Sequence, residues 1–339
     1  MSTFRPYLAI AMSGRPLSAD EMGAALGVVL DGGATDIELA GFLAALRARG
    51  ETVEEIAAAA EAMRSRAVAV DAPDDAIDTA GTGGDGADTF NISTAAALII
   101  AGAGVPVAKH GNKAASSKSG SSEVLEALGV KLDIAPATIS RCIAEAKIGF
   151  MFAALHHGAV RHAAVARKAL GIRTMFNVLG PLSNPAGAKR QLLGVFSREL
   201  VRPIAEVLPR LGVTSAWVVH GEDGLDEMTT TGQTFVAELR DGAIREFTVS
   251  PEDAGLPLAN AADLKGGAPA ENADAIKRLL AGKRGAYRDI AVLNAAAALV
   301  ASDVAADIND GARHAEKAID SGAAAAALAK LVDISNSPS

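Results

Sequence analysis

Hydrophobic positions recur with a helical period over about the first 68 residues, between polar segments that mark helix ends. Three segments open with a capping box, a Ser or Thr followed three positions later by Glu, which satisfies free N–H groups at a helix start. The boxes are Ser18 with Glu21, Thr35 with Glu38, and Thr52 with Glu55. The apolar faces behind the first two boxes are Met22, Leu26, Val29 and Leu30, then Ile37, Ala40, Leu43 and Ala44. The pattern predicts a small all-helical domain over residues 1–70, followed by an acidic linker over residues 70–75.

From about residue 76 onward, short apolar strands alternate with helices. The predicted strands cover residues 76–79, 105–108, 150–153, 191–195 and 216–220, with helices between them such as 122–128 and 198–210. This alternation predicts a mostly parallel central sheet with helices on both faces. Residues 235–239 and 244–249 flank Arg240-Asp241-Gly242, which predicts an antiparallel hairpin added to the sheet. Residues 272–333 return to alanine-rich helices, in which we expect no site residues.

Length, composition and net charge limit the number of domains and the kinds of partner that the chain can have. The 339 residues suggest about two domains, and a hydrophobic fraction of 50% suffices for a large core. The formal net charge of −8 disfavours a nucleic-acid partner, because phosphate backbones select basic surfaces. One cysteine, Cys142, excludes an intramolecular disulfide, and we expect it buried on a helix. The start of the chain does not read as a signal peptide and no run of 18 apolar residues occurs, so we expect a cytoplasmic protein without a membrane partner.

The most informative stretch is residues 78–94, which read DTAGTGGDGADTFNIST and hold Gly81, Gly83, Gly84 and Gly86. Glycines let backbone N–H groups approach a bound oxygen, and a helix start just behind them adds free N–H donors, so the stretch predicts an anion site. A dinucleotide site would need an acidic residue at the end of the next strand, which instead ends in Lys109-His110. A P-loop would need Lys-Ser/Thr after the last glycine, where Ala87-Asp88 stand. The stretch therefore favours phosphate.

Two further motifs follow predicted strands. Residues 109–122 hold three lysines and five serines ahead of a helix, more donors than helix capping requires, which favours a pyrophosphate ligand. Asp226-Glu227 follows another strand and Gly224, and Mg²⁺ prefers such carboxylates together with substrate phosphates. Because ligands bind at the carboxyl ends of parallel strands, we expect all three motifs to meet at one edge of the sheet.

Together the motifs resemble one family. They are Gly81-Thr-Gly-Gly-Asp85, Asn91-Ile-Ser-Thr94, Lys109-His-Gly-Asn112, Ser119-Gly-Ser121, Arg173-Thr-x-Phe-Asn-x-Leu-Gly-Pro-Leu-x-Asn-Pro185 and Gly224-Leu-Asp-Glu227. In this order, over nearly the whole chain, they resemble the anthranilate phosphoribosyltransferases of tryptophan biosynthesis. The resemblance implies the nucleoside phosphorylase/phosphoribosyltransferase type of fold. It also implies a homodimer formed through the helical domain, with residues of about 164–185 joined to that domain and residues 71–163 and 186–339 forming the α/β domain.

The implied reaction is a transfer of phosphoribose from phosphoribosyl pyrophosphate (PRPP) to the amine of anthranilate, with a pair of Mg²⁺ ions at each active site. The resemblance assigns PRPP binding to Gly81, Gly84, Asp85, Thr89, Asn91, Ile92, Ser93, Thr94, Lys109, His110, Gly111, Asn112, Lys113, Ala114, Ala115, Ser116, Ser117 and Ser121. It assigns the metal to Ser93, Asp226 and Glu227, and anthranilate to Gly81, Asn112 and Arg167, with His157 nearby. Lys109, Asn112, His157 and Arg167 would then act through electrostatics and positioning.

One departure concerns the acceptor side, where the family usually has prolines around the site histidine. Here the segments are Phe152-Ala-Ala154 and His157-Gly-Ala159, which loosens the backbone. Two alternatives stay open from the residues. A pyrimidine nucleoside phosphorylase of the same fold is disfavoured by Asp226-Glu227 and Gly81-Thr-Gly-Gly-Asp85, and a non-catalytic nucleic-acid-binding relative by the net charge of −8.

Overall fold

The computed structural model describes residues 3–114 and 118–338 of the chain. Its first four helices are α1 Arg5–Met12, α2 Ala19–Leu30, α3 Asp36–Arg49 and α4 Val53–Arg64. All three predicted capping boxes form, because each hydroxyl accepts the N–H three residues on and each Glu accepts the N–H of the cap residue. The predicted helical N-terminal region is confirmed.

The predicted buried face of α3 was right for Leu43 but wrong for Ile37. This helix buries Leu39, Phe42, Leu43 and Leu46, whereas Ile37 is 85% exposed. Two apolar stripes of the same helical period run along α3, and the stripe with the larger side chains packs into the bundle because it removes more apolar surface from water.

Seven strands form one sheet in the order β3-β2-β1-β4-β5-β6-β7. They are β1 Ile77–Gly81, β2 Val107–Gly111, β3 Ile148–Phe152, β4 Arg190–Gly194, β5 Ser215–Gly221, β6 Thr234–Arg240 and β7 Ala243–Val249. The first five are parallel, and β6 and β7 form the predicted antiparallel hairpin beside β5. Each strand lies within three residues of its predicted bounds. The predicted fold class is therefore confirmed.

The remaining helices cover both faces of the sheet. They are α5 Ile92–Gly102, α6 Ser121–Ala127, α7 Pro136–Ala146, α8 Ala153–His156, α9 Ala164–Leu170, α10 Phe176–Leu182, α11 Val201–Val207, α12 Pro269–Leu280, α13 Ala286–Ala301, α14 Ile308–Asp320 and α15 Ala323–Asn336. The helix predicted over residues 198–210 is instead α11 between two 3₁₀ turns. The second turn begins at Leu208 and has Pro209 next, which has no N–H to continue an α-helix.

Two large hydrophobic cores lie on opposite faces of the sheet. Ile77 and Leu192 pack with α5 and α13–α15 on one face. Leu193 and Val218 on the other face belong to a core that continues through α11 and α4 into the helical bundle. The bundle is therefore joined to the sheet by apolar packing as well as by the chain.

The segment around residues 164–185 packs on the bundle, with α9 against α3 and α10 against α4. Its membership of the helical domain stays a prediction that this packing supports. The predicted linker over residues 70–75 contains no helix or strand. It is nevertheless tied down at its start, because the N–H of Val70 donates to Pro185 O at 3.3 Å.

Two smaller expectations concern Cys142 and membrane spans. Cys142 is buried on α7, as predicted, and burial raises the pKa of its thiol to about 11. Across residues 3–114 and 118–338, every helix is too short or too polar to cross a bilayer.

Candidate active site

A cavity of about 940 Å³ lies at the carboxyl ends of β1 and β2, between the sheet and the segment over residues 153–181. Gly81, Lys109 and Glu227 all line it, so the three motifs predicted to meet at this edge of the sheet do so. The parallel register explains the meeting, since Gly81 of β1 pairs with Gly194 of β4 and Gly111 of β2 pairs with Phe152 of β3.

The glycine-rich loop wraps the floor of the cavity. Gly83, Gly84 and Gly86 have φ values of +66°, +77° and +72°, a conformation that residues with a Cβ rarely adopt. Gly81 serves a different need, because a Cβ there would lie 2.3 Å from Asp226 Oδ2. The loop leads into α5, whose first-turn residues Ser93 and Thr94 line the cavity. The hydroxyls of these two residues and the start of α5 form a cradle suited to an anion.

Lys109 supplies the positive charge of the cradle. Its Nζ donates to Thr79 O at 2.5 Å and to Ser93 Oγ at 3.3 Å, and the residue is only 2% exposed. Burial lowers the pKa of Lys109, and the neighbouring carboxylates of Asp78 and Glu227 oppose that shift. Asp78 also accepts the N–H of His110 at 3.0 Å, which fixes the end of β2 beneath the cavity.

Asp226 and Glu227 place two carboxylates on the same wall. Asp226 Oδ2 accepts the N–H of Gly83 at 2.6 Å, and Glu227 Oε1 accepts the N–H of Ser93 at 3.1 Å. Burial raises the pKa of both acids, with Asp85 adding like charge near Asp226 and Asp226 doing the same to Glu227. A divalent cation would relieve this concentration of negative charge.

The donor set fits Mg²⁺ better than a metal caged by protein alone. The described part of the chain holds no group of three His, Cys, Asp or Glu side chains arranged for a metal. Mg²⁺ commonly takes one or two carboxylates and completes its shell with waters and substrate phosphates. Asp226, Glu227 and the hydroxyl of Ser93 match that pattern, beside a cradle built for an anion.

Glu123 joins two points of the lysine- and serine-rich stretch over residues 109–122. One carboxylate oxygen, Oε2, accepts the N–H of Ala114 at 3.1 Å and that of Gly120 at 2.9 Å. Lys113, which precedes Ala114, lines the cavity. Ala115, Ser116 and Ser117, which the sequence assigned to PRPP, lie outside the described residues.

The opposite wall of the cavity carries Arg167 and His157. Arg167 is partly buried with its guanidinium 5.2 Å from the centre of the Phe176 ring, and burial lowers its pKa. Within the described ranges it forms no ion pair with a carboxylate, so its charge is left for a ligand. A carboxylate ligand would supply the missing partner through a bidentate fork.

Two neutral histidines lie beside this arginine. The rings of His110 and His157 meet edge to face at 5.1 Å. Burial lowers the pKa of His110 to about 3 and that of His157 to about 4, so both are neutral near pH 7. Their Nε2 atoms, and Oγ1 of Thr94, are buried without a hydrogen-bond partner among the described residues. Buried polar atoms rarely stay unpaired, so this cavity is built to hold a polar ligand or water.

Most residues that the sequence singled out line the cavity. Those that do are Gly81, Gly84, Asn91, Ser93, Thr94, Lys109, His110, Gly111, Asn112, Lys113, Ala114, Ser121, His157, Arg167, Asp226 and Glu227. Three others are not among the residues that line it. Asp85 accepts the N–H of Ala87 at 3.1 Å, Thr89 bridges to Lys265 through the main chain, and the side chain of Ile92 is in the core.

Sequence reasoning missed several residues around the cavity. Arg161 and Arg173 line it and no local pattern set them apart, although Arg173 stood in a quoted motif. Residues 272–333, in which we expected no site residues, contribute no lining residue to the cavity but do contact its wall. Asn272 and Tyr287, both in that stretch, hydrogen-bond to Asn91 on the cavity wall. Contacts between segments this far apart in the chain carry no local sequence signal.

Two family models match the chain. The glycosyl transferase family helical bundle domain matches residues 5–67, and the glycosyl transferase family a/b domain matches residues 73–325. The fold and the site therefore define a glycosyl transferase built from these two domains.

Individual relatives narrow the class. An anthranilate phosphoribosyltransferase of Parvibaculum lavamentivorans is 60% identical over 336 residues, covering 99% of this chain and 98% of the relative. The crystal structure of the Thermus thermophilus enzyme of that name matches with a TM-score of 0.93 at 42% identity, covering 98% of this chain and 99% of that chain.

The Saccharomyces cerevisiae anthranilate phosphoribosyltransferase has been solved in two informative complexes. The complex with PRPP and Mg matches with a TM-score of 0.91 at 31% identity, covering 99% of this chain and 98% of that chain. The complex with 4-fluoroanthranilate matches with a TM-score of 0.89 at 29% identity and the same coverage. The chain belongs to the anthranilate phosphoribosyltransferase family, which confirms the resemblance carried by its motifs.

Proposed function

We propose that this chain transfers the 5-phosphoribosyl group of PRPP to the amine of anthranilate, giving N-(5-phosphoribosyl)anthranilate and pyrophosphate in tryptophan biosynthesis. One observation carries the proposal. A single cavity joins a glycine-rich loop, hydroxyls and a buried lysine to two carboxylates and to an arginine that has no carboxylate partner among the described residues. These are the groups needed to hold a diphosphate, Mg²⁺ and an aromatic acid together.

The diphosphate of PRPP belongs on the glycine-rich cradle. We assign the set predicted from the sequence to this role, with Lys109, Asn91, Ser93 and Thr94 as its described donors. Asp85, Thr89 and Ile92 would act from behind the cavity wall by shaping the loop and the start of α5. Oγ1 of Thr94, which has no hydrogen-bond partner among the described residues, would gain one.

Ser93, Asp226 and Glu227 would hold Mg²⁺, which would neutralise the diphosphate. We propose a pair of ions at each site, because two adjacent carboxylates face a ligand with many phosphate oxygens. The main-chain bonds from Gly83 and Ser93 would keep the two carboxylates aimed at the cavity. The complex of the yeast relative with PRPP and Mg supports this role for the ion.

Anthranilate belongs on the wall with Arg167. Its carboxylate would pair with the guanidinium, while Gly81 and Asn112, which line the same cavity, would face the rest of the acceptor. His157 is neutral, so it would offer a ring nitrogen without repelling the arginine or competing for the carboxylate. The complex of the yeast relative with 4-fluoroanthranilate supports an aromatic acid as the acceptor.

The chemistry asks the protein chiefly to position and to stabilise charge. As the bond from C1 to pyrophosphate breaks, positive charge builds on the ribose and negative charge on the leaving group. The amine is already a nucleophile, so no strong base is required. The cradle and Lys109 stabilise the departing diphosphate, and Arg167 holds the amine in line with C1.

The alternatives are less well supported. A pyrimidine nucleoside phosphorylase would use inorganic phosphate and a nucleoside, and the Asp226-Glu227 pair would then have no function in metal binding. A nucleic-acid-binding role would need a basic surface, which a net charge of −8 disfavours.

We further propose that the protein works in the cytoplasm as a homodimer joined through its helical domain, in keeping with the exposed Ile37 and Met12 on that domain.

A direct assay tests the proposed reaction. Purified protein is mixed with anthranilate, PRPP and Mg²⁺, and the fluorescence of anthranilate is followed. We expect the fluorescence to disappear in the complete mixture and to persist when either PRPP or Mg²⁺ is omitted. Persistence in the complete mixture, or consumption of a pyrimidine nucleoside with phosphate instead, would overturn the proposal.

A further inference from the structure

The C-terminal helical region reaches the anion cradle through Asn91. The hydroxyl of Tyr287 donates to Asn91 O at 3.2 Å, and the Tyr287 ring stacks on Phe90 with ring centres 4.4 Å apart. Asn272 Nδ2 donates to Asn91 Oδ1 at 2.9 Å. Asn91 is therefore held through both its main chain and its side chain by residues almost 200 positions away, at separations of 196 and 181.

The contact with Asn272 fixes which way the Asn91 amide points. Asn272 Oδ1 accepts the main-chain N–H of Gly267 at 2.8 Å. Because a main-chain N–H can only donate, the oxygen of the Asn272 amide must face Gly267. Its nitrogen must then face Asn91, which requires an acceptor there, and that acceptor is Oδ1.

A second constraint gives the same orientation. Asn91 Nδ2 donates to the main-chain oxygen of Ser119 at 3.0 Å, and a carbonyl can only accept. Ser119 Oγ donates in turn to Asn91 Oδ1 at 3.1 Å. Oδ1 is held by Asn272 and Ser119, and one hydrogen of Nδ2 goes to Ser119. The second hydrogen of Nδ2 has no acceptor among the described residues, and Asn91 lines the cavity.

We propose that Asn272 is a positioning residue for the diphosphate, because it locks the Asn91 amide with an N–H toward the anion. The residue is 1% exposed and does not line the cavity, so it acts only through Asn91. The proposal deepens the proposed function and rests on it. Without Asn272, only Ser119 would oppose a half-turn of the amide that presents its oxygen to a phosphate, which repels it.

The sharpest perturbation is Asn272→Asp, which keeps size and shape but removes the donor. One new carboxylate oxygen would still accept from Gly267, and the other would face Asn91 Oδ1. Two facing acceptors favour rotation of the Asn91 amide. We expect the KM for PRPP to rise about tenfold or more, the order of a lost hydrogen bond to a charged group, with the KM for anthranilate changed by less than about twofold.

A double-mutant cycle separates positioning from general damage to the fold. In an Asn91→Ala background, Asn272→Asp should raise the KM for PRPP by less than about twofold, because the side chain through which it acts is gone. Ser335→Ala on α15 is the matched control. It removes a hydroxyl that is 1% exposed and accepts the N–H of Lys131 at 3.1 Å, and it should leave both KM values at the wild-type level.

The result that overturns the proposal is an unchanged KM for PRPP in Asn272→Asp, or an equal rise in both backgrounds. If Asn272→Asp does not fold, Asn272→Ala is measured in the same way. A partly folded preparation does not disturb the comparison, because KM is independent of the fraction of active protein. Calorimetric binding of inorganic pyrophosphate with Mg²⁺ gives a readout without turnover. A wild-type protein that lacks turnover would refute the proposed function, whereas normal wild-type kinetics with an unaffected variant would refute only the role of Asn272.

Discussion

Gly81→Ala is the substitution that most directly probes how the cradle and the carboxylates fit together. A Cβ at this position would lie 2.3 Å from Asp226 Oδ2, 2.9 Å from its Cγ and 3.1 Å from its main-chain O. Non-bonded heavy atoms prefer about 3.5–4 Å, so the carboxylate must move by roughly 1 Å. That movement breaks its 2.6 Å bond from the Gly83 N–H.

The expected loss in Gly81→Ala is larger in activity than in stability. A displacement of about 1 Å in a reacting site can reduce turnover about 100-fold. The lost hydrogen bond to a charged group lowers the free energy of unfolding by about 1.5–3 kcal/mol. Turnover is measured across a Mg²⁺ titration, and stability by urea unfolding.

Gly86→Ala is the control within the same loop. Gly86 has φ +72° and no atom within 4 Å of a Cβ, so alanine costs about 1–2 kcal/mol of backbone strain without touching Asp226. This variant should lose comparable stability and keep most of its turnover. The reasoning fails if Gly81→Ala keeps the wild-type turnover and Mg²⁺ dependence, or if Gly86→Ala loses as much activity.

Three further perturbations test other parts of the site. Asp226→Asn combined with Glu227→Gln should cut turnover at millimolar Mg²⁺ by about 100-fold or more while stability holds or rises, since the two buried charges repel each other; unchanged turnover would refute the metal role. Arg167→Ala should raise the KM for anthranilate about tenfold or more and leave that for PRPP nearly unchanged, and an equal rise in both would contradict the acceptor assignment. The pKa of His157 is lowered to about 4, so the stability that its neutral ring contributes is present above about pH 6.5 and is lost as the pH falls towards 4. Urea unfolding at pH 7 and pH 5 should therefore show a smaller loss of unfolding free energy in His157→Asn than in the wild type. Equal losses would contradict burial of a neutral ring.

Local signals in the sequence were enough to predict the elements of the fold. The capping boxes at Ser18, Thr35 and Thr52 placed three helix starts, because their bonds lie within four residues. Apolar runs ended by glycine or charged residues placed the strands. The strand ends then predicted the meeting of Gly81, Lys109 and Glu227, since parallel strands point their carboxyl ends the same way.

What could not be predicted depends on packing partners. Ile37 and Leu39 stand on stripes of equal helical period, and only the bundle decides which stripe is buried. The roles of Asn272 and Tyr287 arise from contacts across most of the chain. Arg167 looks like a surface arginine until the fold places it in a cavity, where no described carboxylate pairs with it.

The central claim is that one cavity releases pyrophosphate from PRPP while it joins the ribose to the acceptor. The most direct test follows pyrophosphate release and loss of anthranilate in the same reaction. We expect equal amounts of both, with neither change when Mg²⁺ is withheld. Pyrophosphate release without loss of anthranilate would contradict the account.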